Sequence, residues 1–157
     1  MFQVQAELDS DNKPGEVHLL KNIDPILSPD ILHALRAMGH GDEIALVDAN
    51  FPATALARRL IRQDGVSVTR MLEAVLSVLP LDDFVPQPVM TMQVVGDSAQ
   101  MPEAVKDMHR LIGDPGLCGA LQRESFYLRA RECFAILQTG ETRLYGNIIL
   151  KKGVIRI

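Results

Sequence analysis

Tryptophan is missing from this chain, and phenylalanine and tyrosine together make up only 4% of it. Stacking platforms for bases or large flat cofactors are built from aromatic faces, so they are scarce here. Cysteine is nearly as rare. Cys118 and Cys133 are too few and too irregularly spaced for a disulfide framework or a zinc site, and a reducing, cytoplasmic setting fits them best. Lysine and arginine never gather into a basic stripe, and the formal charge is −4 with a pI near 5.5. Nucleic acid is therefore not an expected partner. No apolar run reaches the roughly 18 residues that a bilayer-spanning helix needs. The start of the chain lacks a basic end followed by an apolar block, so neither a membrane span nor a signal peptide is expected.

What remains is an ordinary globular composition. The 157 residues are 47% hydrophobic and 23% charged, enough for one domain with a real core. Residues 1–18 are polar and punctuated by Asp9-Ser10-Asp11-Asn12-Lys13-Pro14-Gly15, which reads as a flexible extension ahead of a single domain over 19–157. Within that extension Phe2-Gln3-Val4-Gln5-Ala6 alternates as an edge strand would.

Helices and strands then alternate. Ser28-Pro29-Asp30 offers an N-cap, a first-turn proline and an acid at the positive end of a helix dipole. Ile31, Leu32, Leu35 and Met38 form the stripe of that helix and Gly39 stops it, with His33 a surface or half-buried residue. Ile44 to Val47 is a short buried strand, followed by a turn at Asn50-Phe51-Pro52 and a short helix through Leu56 and Ala57. Leu60-Ile61-Arg62 is a second strand, ended by Gln63-Asp64-Gly65. A helix is expected over Val68–Leu79, a strand over Val89–Val95, and a helix over Pro102–Ile112. Asp114-Pro115-Gly116 is a turn, and Arg123–Arg131 suits a helix. Strands at Phe134–Gly140 and Asn147–Gly153, the second extendable through Ile155, complete an α/β sheet covered on both faces.

The stretch from Met38 to Pro52 carries the chemistry. Gly39 and Gly41 flank His40 on a tight turn entering the first strand, and Asp48 sits where that strand ends. Histidine is the side chain that exchanges protons near neutral pH, and flanking glycines leave its ring approachable. The crevice beyond strand C-termini is the usual ligand site of an open α/β sheet. At roughly 3.3 Å per residue, however, the strand holds His40 and Asp48 about 20 Å apart. They share a site only across an oligomer, or if the turn folds His40 back. Asp48 alone reads better as a cap of the following turn than as a ligand contact.

Common signatures are absent. There is no G-x-G-x-x-G after a strand, no G-x-x-x-x-G-K-[ST], no G-x-S-x-G and no H-E-x-x-H. His40, Asp42 and Asp48 make a weak metal set, so neither metal nor cofactor is expected. Arg143-Leu144-Tyr145-Gly146-Asn147 is a polar turn entering a strand. Turn chemistry alone explains Gly146 and Asn147, while Tyr145 and Asn147 equally offer a hydroxyl and an amide to a polyol.

Several segments in order resemble one family. They are Leu20-Lys21-Asn22-Ile23, Leu27-Ser28-Pro29, Met38-Gly39-His40-Gly41-Asp42-Glu43-Ile44, Asp48-Ala49-Asn50-Phe51-Pro52-Ala53, and Tyr145-Gly146-Asn147 with Leu150-Lys151-Lys152-Gly153-Val154. Together, over about residues 19–154, they are similar to the sugar mutarotases that include L-fucose mutarotase and D-ribose pyranase. Arg123-Glu124-Ser125-Phe126-Tyr127-Leu128-Arg129-Ala130 and Thr139-Gly140-Glu141 resemble the fucose branch, although that branch often carries histidine where this chain has Asn50.

The resemblance implies a three-layer α/β/α fold with a mainly parallel sheet, assembled as a ring-like homodecamer with sites at subunit boundaries. It also implies a proton donor at His40 and monosaccharide contacts at Asp48, Arg123, Tyr145, Gly146 and Asn147. The expected activity is that of an isomerase which exchanges the anomers of a sugar, L-fucose first, by acid–base ring opening and closure. That reaction needs no redox group, phosphate or metal. The alternative expectation is a non-enzymatic monosaccharide-binding or regulatory module linked to sugar uptake, which would use the same polar contacts without proton transfer by His40. A second alternative is an isomerase that converts an open-chain aldose to a ketose.

Overall fold

The computed structural model describes residues 18–157. The extension read over residues 1–18, apart from His18, and the alternation Phe2–Ala6 lie outside the described residues. The first helix forms as its sequence dictates. The Ser28 hydroxyl accepts the Ile31 amide at 3.3 Å, Pro29 occupies the first turn, and α1 runs Pro29–Ala37. Ile31, Ala34 and Leu35 turn inward while His33 stays exposed. The remaining helices are α2 (Ala53–Leu56), α3 (Val68–Leu76), α4 (Glu103–Ile112) and α5 (Arg123–Glu132). None of these helices is long and apolar enough to cross a membrane.

Six strands make one sheet: β1 (Glu43–Val47), β2 (Leu60–Gln63), β3 (Val89–Met92), β4 (Cys118–Leu121), β5 (Ala135–Thr139) and β6 (Ile148–Lys151). Their order is β2-β5-β1-β6-β3-β4. The pairs β1·β5, β2·β5 and β3·β4 are parallel, and only β6 runs against its neighbours β1 and β3. The sheet is thus mainly parallel, with its one reversed strand in the interior.

Alternation along the central strands builds two cores. Ile44 and Leu46 of β1, Leu137 of β5, and Ile148 and Leu150 of β6 face α1, α3 and α4, packing on Ile31, Leu35, Met71, Leu72, Val75 and Met108. Ala45, Val47, Ile136 and Ile149 face the other way, onto Phe51, Ala53, Phe126 and Ala130 of the α2 and α5 layer. Each fully buried Leu, Ile or Phe contributes about 1.5–3 kcal/mol. Covering both faces in this way gives the three-layer α/β/α arrangement.

The differences from the sequence reading have local causes. β4 escapes it because Cys-Gly-Ala-Leu has no β-branched residue. The strand is an edge, paired with β3 alone among the described strands. β3 stops at Met92 because Val94 turns back to bridge Asp97. β6 stops at Lys151, where Lys152 bridges Leu81 and a Cβ on Gly153 would lie 2.4 Å from the Leu81 carbonyl oxygen. α3 ends at Leu76, with the Ser77 hydroxyl donating to the Ala74 carbonyl at 2.6 Å.

Candidate active site

Strand direction sorts the candidate residues onto two ends of the sheet. The C-terminal end of β1, the N-terminal end of the reversed β6 and the C-terminal ends of β3 and β4 share one edge. Asp48 follows β1 there, and Tyr145, Gly146 and Asn147 lead into β6. The Asp48 amide donates to the Asn147 side-chain oxygen at 2.9 Å, and the Asn147 amide group donates back to the Asp48 carboxylate at 3.0 Å. The Asn50 amide donates to the other Asp48 oxygen at 3.0 Å, so the carboxylate also caps the turn, as its position in the sequence predicts. Burial pushes the Asp48 carboxyl above its ordinary pKa despite these donors.

Tyr145 takes a left-handed backbone, φ 63°, uncommon for a residue with a side chain. The Val95 amide donates to its phenol oxygen at 3.1 Å, which leaves the phenol O–H able to donate elsewhere. Gly146 is not the left-handed residue of this turn. It is glycine because a Cβ there would lie 2.7 Å from Glu141 Cγ. Glu141 is itself buried, and its carbonyl accepts the Ala49 amide at 2.9 Å, next to Asp48. Arg143 grips both Glu141 carboxylate oxygens, at 3.0 and 2.9 Å, and holds that carboxyl below its ordinary pKa.

Arg123 stands on the same edge, at the start of α5 after β4. Its guanidinium reaches Glu124 at 3.2 Å and is half exposed. A cavity of about 430 Å³ opens beside it, lined by Gln93, Val95, Asp97, Gln122 and Glu124 among others. Three strand spacings of roughly 4.8 Å separate β1 from β4, so Arg123 lies well along this edge from Asp48 and Asn147, which are not among the residues lining its cavity.

His40 is elsewhere. Its turn is fastened to the far end of β6, where the Gly41 amide donates to the Lys152 carbonyl and the Lys152 amide to the Asp42 carbonyl, both at 2.8 Å. Gly41 has φ 84°, which explains one of the two glycines flanking the ring. The His40 ring is exposed, and its Nε2 lies 3.0 Å from the buried carboxylate of Asp82. Asp82 had no signal in the sequence, being 42 residues from His40 in a segment between prolines. Within one chain, therefore, Asp48, Tyr145, Gly146 and Asn147 come together, Arg123 stands further along the same edge of the sheet, and His40 stands at the opposite end of β1. Among the described residues, no group of three or more His, Cys, Asp or Glu side chains is arranged to hold a metal ion.

A model of the RbsD / FucU transport protein family matches residues 21–155. The chain belongs to that family. Among RbsD / FucU relatives, it is 42% identical over 147 residues to the fucose mutarotase of Homo sapiens, covering 88% of this chain and 96% of the relative. It is 44% identical over 142 residues to the L-fucose mutarotase of Glaesserella parasuis, covering 87% and 96%. The crystal structure of the Streptococcus pneumoniae fucose mutarotase in complex with L-fucose aligns with a TM-score of 0.83 at 44% identity, over 87% of this chain and all of that one.

Proposed function

We propose that this protein is an isomerase, a mutarotase that interconverts the α and β anomers of L-fucose. The observation that carries this reading is the match, nearly end to end and above 40% identity, to fucose mutarotases, one of them solved with L-fucose bound. Mutarotation breaks the bond between the anomeric carbon and the ring oxygen. A proton is delivered to the ring oxygen and another leaves the anomeric hydroxyl. Rotation of the freed aldehyde and reversal of both transfers then close the ring on the other face.

His40 is the proton donor in opening and the acceptor in closure, a role that contributes roughly 10²–10⁴-fold in rate. Asp48 and Asn147 form the floor of the sugar site, and Tyr145, Gly146 and Arg123 contact hydroxyls around it. Their common edge of the sheet supports this grouping, as does the mixture of carboxylate, amide, phenol and guanidinium that polyols accept. The position of His40 at the other end of β1 supports a site built from two chains, the His40 end of one subunit against the Asp48 end of its neighbour. A closed ring of like contacts, assembled as a decamer, satisfies that arrangement. The unpaired thiols of Cys118 and Cys133 support a cytoplasmic setting.

Exchange NMR on L-fucose tests the reading. The wild type speeds α–β exchange above the buffer rate, and His40→Ala removes that acceleration while leaving the native mass unchanged. Wild-type exchange no faster than buffer, with sugar binding retained, would instead favour a non-enzymatic binding module. A change in sugar composition would point to aldose–ketose conversion.

A further inference from the structure

The segment Leu81-Asp82-Asp83-Phe84 lies outside every helix and strand, yet it is fixed tightly. The Asp82 amide donates to the Lys151 carbonyl at 3.0 Å, Leu81 bridges Lys152, and the Gly153 amide donates to the Pro80 carbonyl at 2.8 Å. A Cβ on Gly153 would lie 2.8 Å from the Asp82 Cα, so glycine at that position lets the segment lie against the end of β6. The result is a carboxylate 4% exposed beneath an imidazole 43% exposed.

Asp82 Oδ1 accepts the Phe84 amide at 3.1 Å and lies 3.0 Å from His40 Nε2. The Phe84 ring meets the His40 ring at 4.9 Å between centroids, tilted by 52°. Phe84 is held in turn by the Arg156 guanidinium, 5.3 Å from its centroid and paired with Asp83 at 2.9 Å. The other charges nearby are Lys151 from β6 and Asp42, whose carboxylate accepts the Gly39 amide at 2.7 Å. Burial pushes the Asp82 carboxyl up, but the His40 and Phe84 hydrogen bonds and the charges of His40 and Lys151 bring it below its ordinary pKa. An ionised carboxylate only accepts, so Nε2 must carry the hydrogen between them.

We propose that Asp82 is the positioning residue of His40, keeping the ring proton on Nε2 so that Nδ1 is the nitrogen that exchanges protons with the sugar. The inference rests on the mutarotase reading for the last clause only; the fixed tautomer follows from the contact itself. Asp82 meets the ring at Nε2 and Phe84 packs against it at a tilt, an arrangement in which Nδ1 points away from the carboxylate. When Nδ1 takes a proton from the sugar, the imidazolium is stabilised by an anion already in place and needing no reorganisation.

The test is ¹⁵N NMR of the histidine ring nitrogens in the full chain, alongside steady-state anomer exchange. In the wild type, neutral His40 shows its proton on Nε2. In Asp82→Asn, where the amide can donate as well as accept, the ring-nitrogen signals move toward the Nδ1–H form. Its kcat falls about 10–100-fold, within the range of acid–base catalysis, while KM stays within about twofold. Glu103→Gln, at an exposed carboxylate that opens α4 and has no part in the His40 contacts, changes neither readout. Ring-nitrogen signals identical in Asp82→Asn and wild type would overturn the proposal, as would an unchanged kcat in an active enzyme. A wild type that fails to speed anomer exchange removes the mutarotase reading instead, and the ring nitrogens still decide whether Asp82 sets the tautomer.

Discussion

The guanidinium of Arg129 meets the carboxylate of Glu43 through two parallel hydrogen bonds, Nε to Oε2 at 3.0 Å and Nη2 to Oε1 at 2.6 Å, joining α5 to the start of β1. Lys151 of β6 adds a third contact at 3.3 Å. Burial raises the Glu43 carboxyl, but these cations outweigh it and leave it below its ordinary pKa of 4.5. A depressed carboxylate stabilises the fold above its unfolded pKa and loses that contribution as the pH falls through the folded value. Glu43→Gln is therefore expected to cost about 2 kcal/mol at neutral pH, the scale of a charged hydrogen-bonded pair. In urea titrations the gap from wild type narrows as the pH drops below 4.5. A gap that widens on acidification would refute this account.

Gly140 is required for space. A Cβ there would lie 1.8 Å from the Asp64 carbonyl oxygen, and that contact is with backbone rather than a yielding side chain. Gly140→Ala must push apart the turns after β5 and β2, at a cost of about 3 kcal/mol. For a chain of this size that is a drop of about 6–12 °C in Tm. Gly65→Ala, with no atom within 4 Å of the added Cβ, serves as the control.

The two alanine variants also bear on what the sequence can convey. Helix α1 is legible because Ser28, Pro29 and Asp30 act locally, and β1 is legible because a run of aliphatic residues needs two covered faces. β4 is not legible, since Cys118-Gly119-Ala120-Leu121 holds no β-branched residue and forms a partly exposed edge strand without an apolar alternation to read. Asp48, Tyr145, Gly146 and Asn147 are identified by motif, and their grouping then follows from β1 and β6 being antiparallel neighbours. The Asp82–His40 contact spans loops 42 residues apart and leaves no periodic trace. Arg129, part of the same motif as Arg123, ties α5 to β1 and is absent from the candidate sugar edge, a distinction that spacing cannot make.

The turn carrying Tyr145 depends on Arg143. Besides Glu141, this guanidinium reaches Asp107 of α4 at 2.8 Å, so the turn is clamped to a helix across the edge of the sheet. Arg143→Leu should leave the chemistry intact but loosen Tyr145, Gly146 and Asn147. The KM for L-fucose is expected to rise about fivefold with kcat within about twofold, as ordering of the site is shifted to the moment of binding. A fall in kcat at unchanged KM would contradict this division. It would imply that Arg143 acts on the reacting atoms.

If the sugar site is shared, inactive variants must rescue one another. His40→Ala destroys one end of a subunit and Asp48→Asn the other, so each alone fills a ring with defective sites. When equal amounts are unfolded together and reassembled, some neighbours place an intact His40 from one chain against an intact Asp48 from the next. Random mixing around a ring in which each site takes one end from each of two subunits makes about one quarter of the sites whole. Anomer exchange should therefore recover to about a quarter of the wild-type rate, whereas mixing without unfolding recovers none while the rings stay closed. A site contained in one chain allows no recovery under either protocol, because every chain in the mixture lacks either His40 or Asp48. The same measurement thus decides whether the strand that keeps these two residues about 20 Å apart separates two halves of different sites.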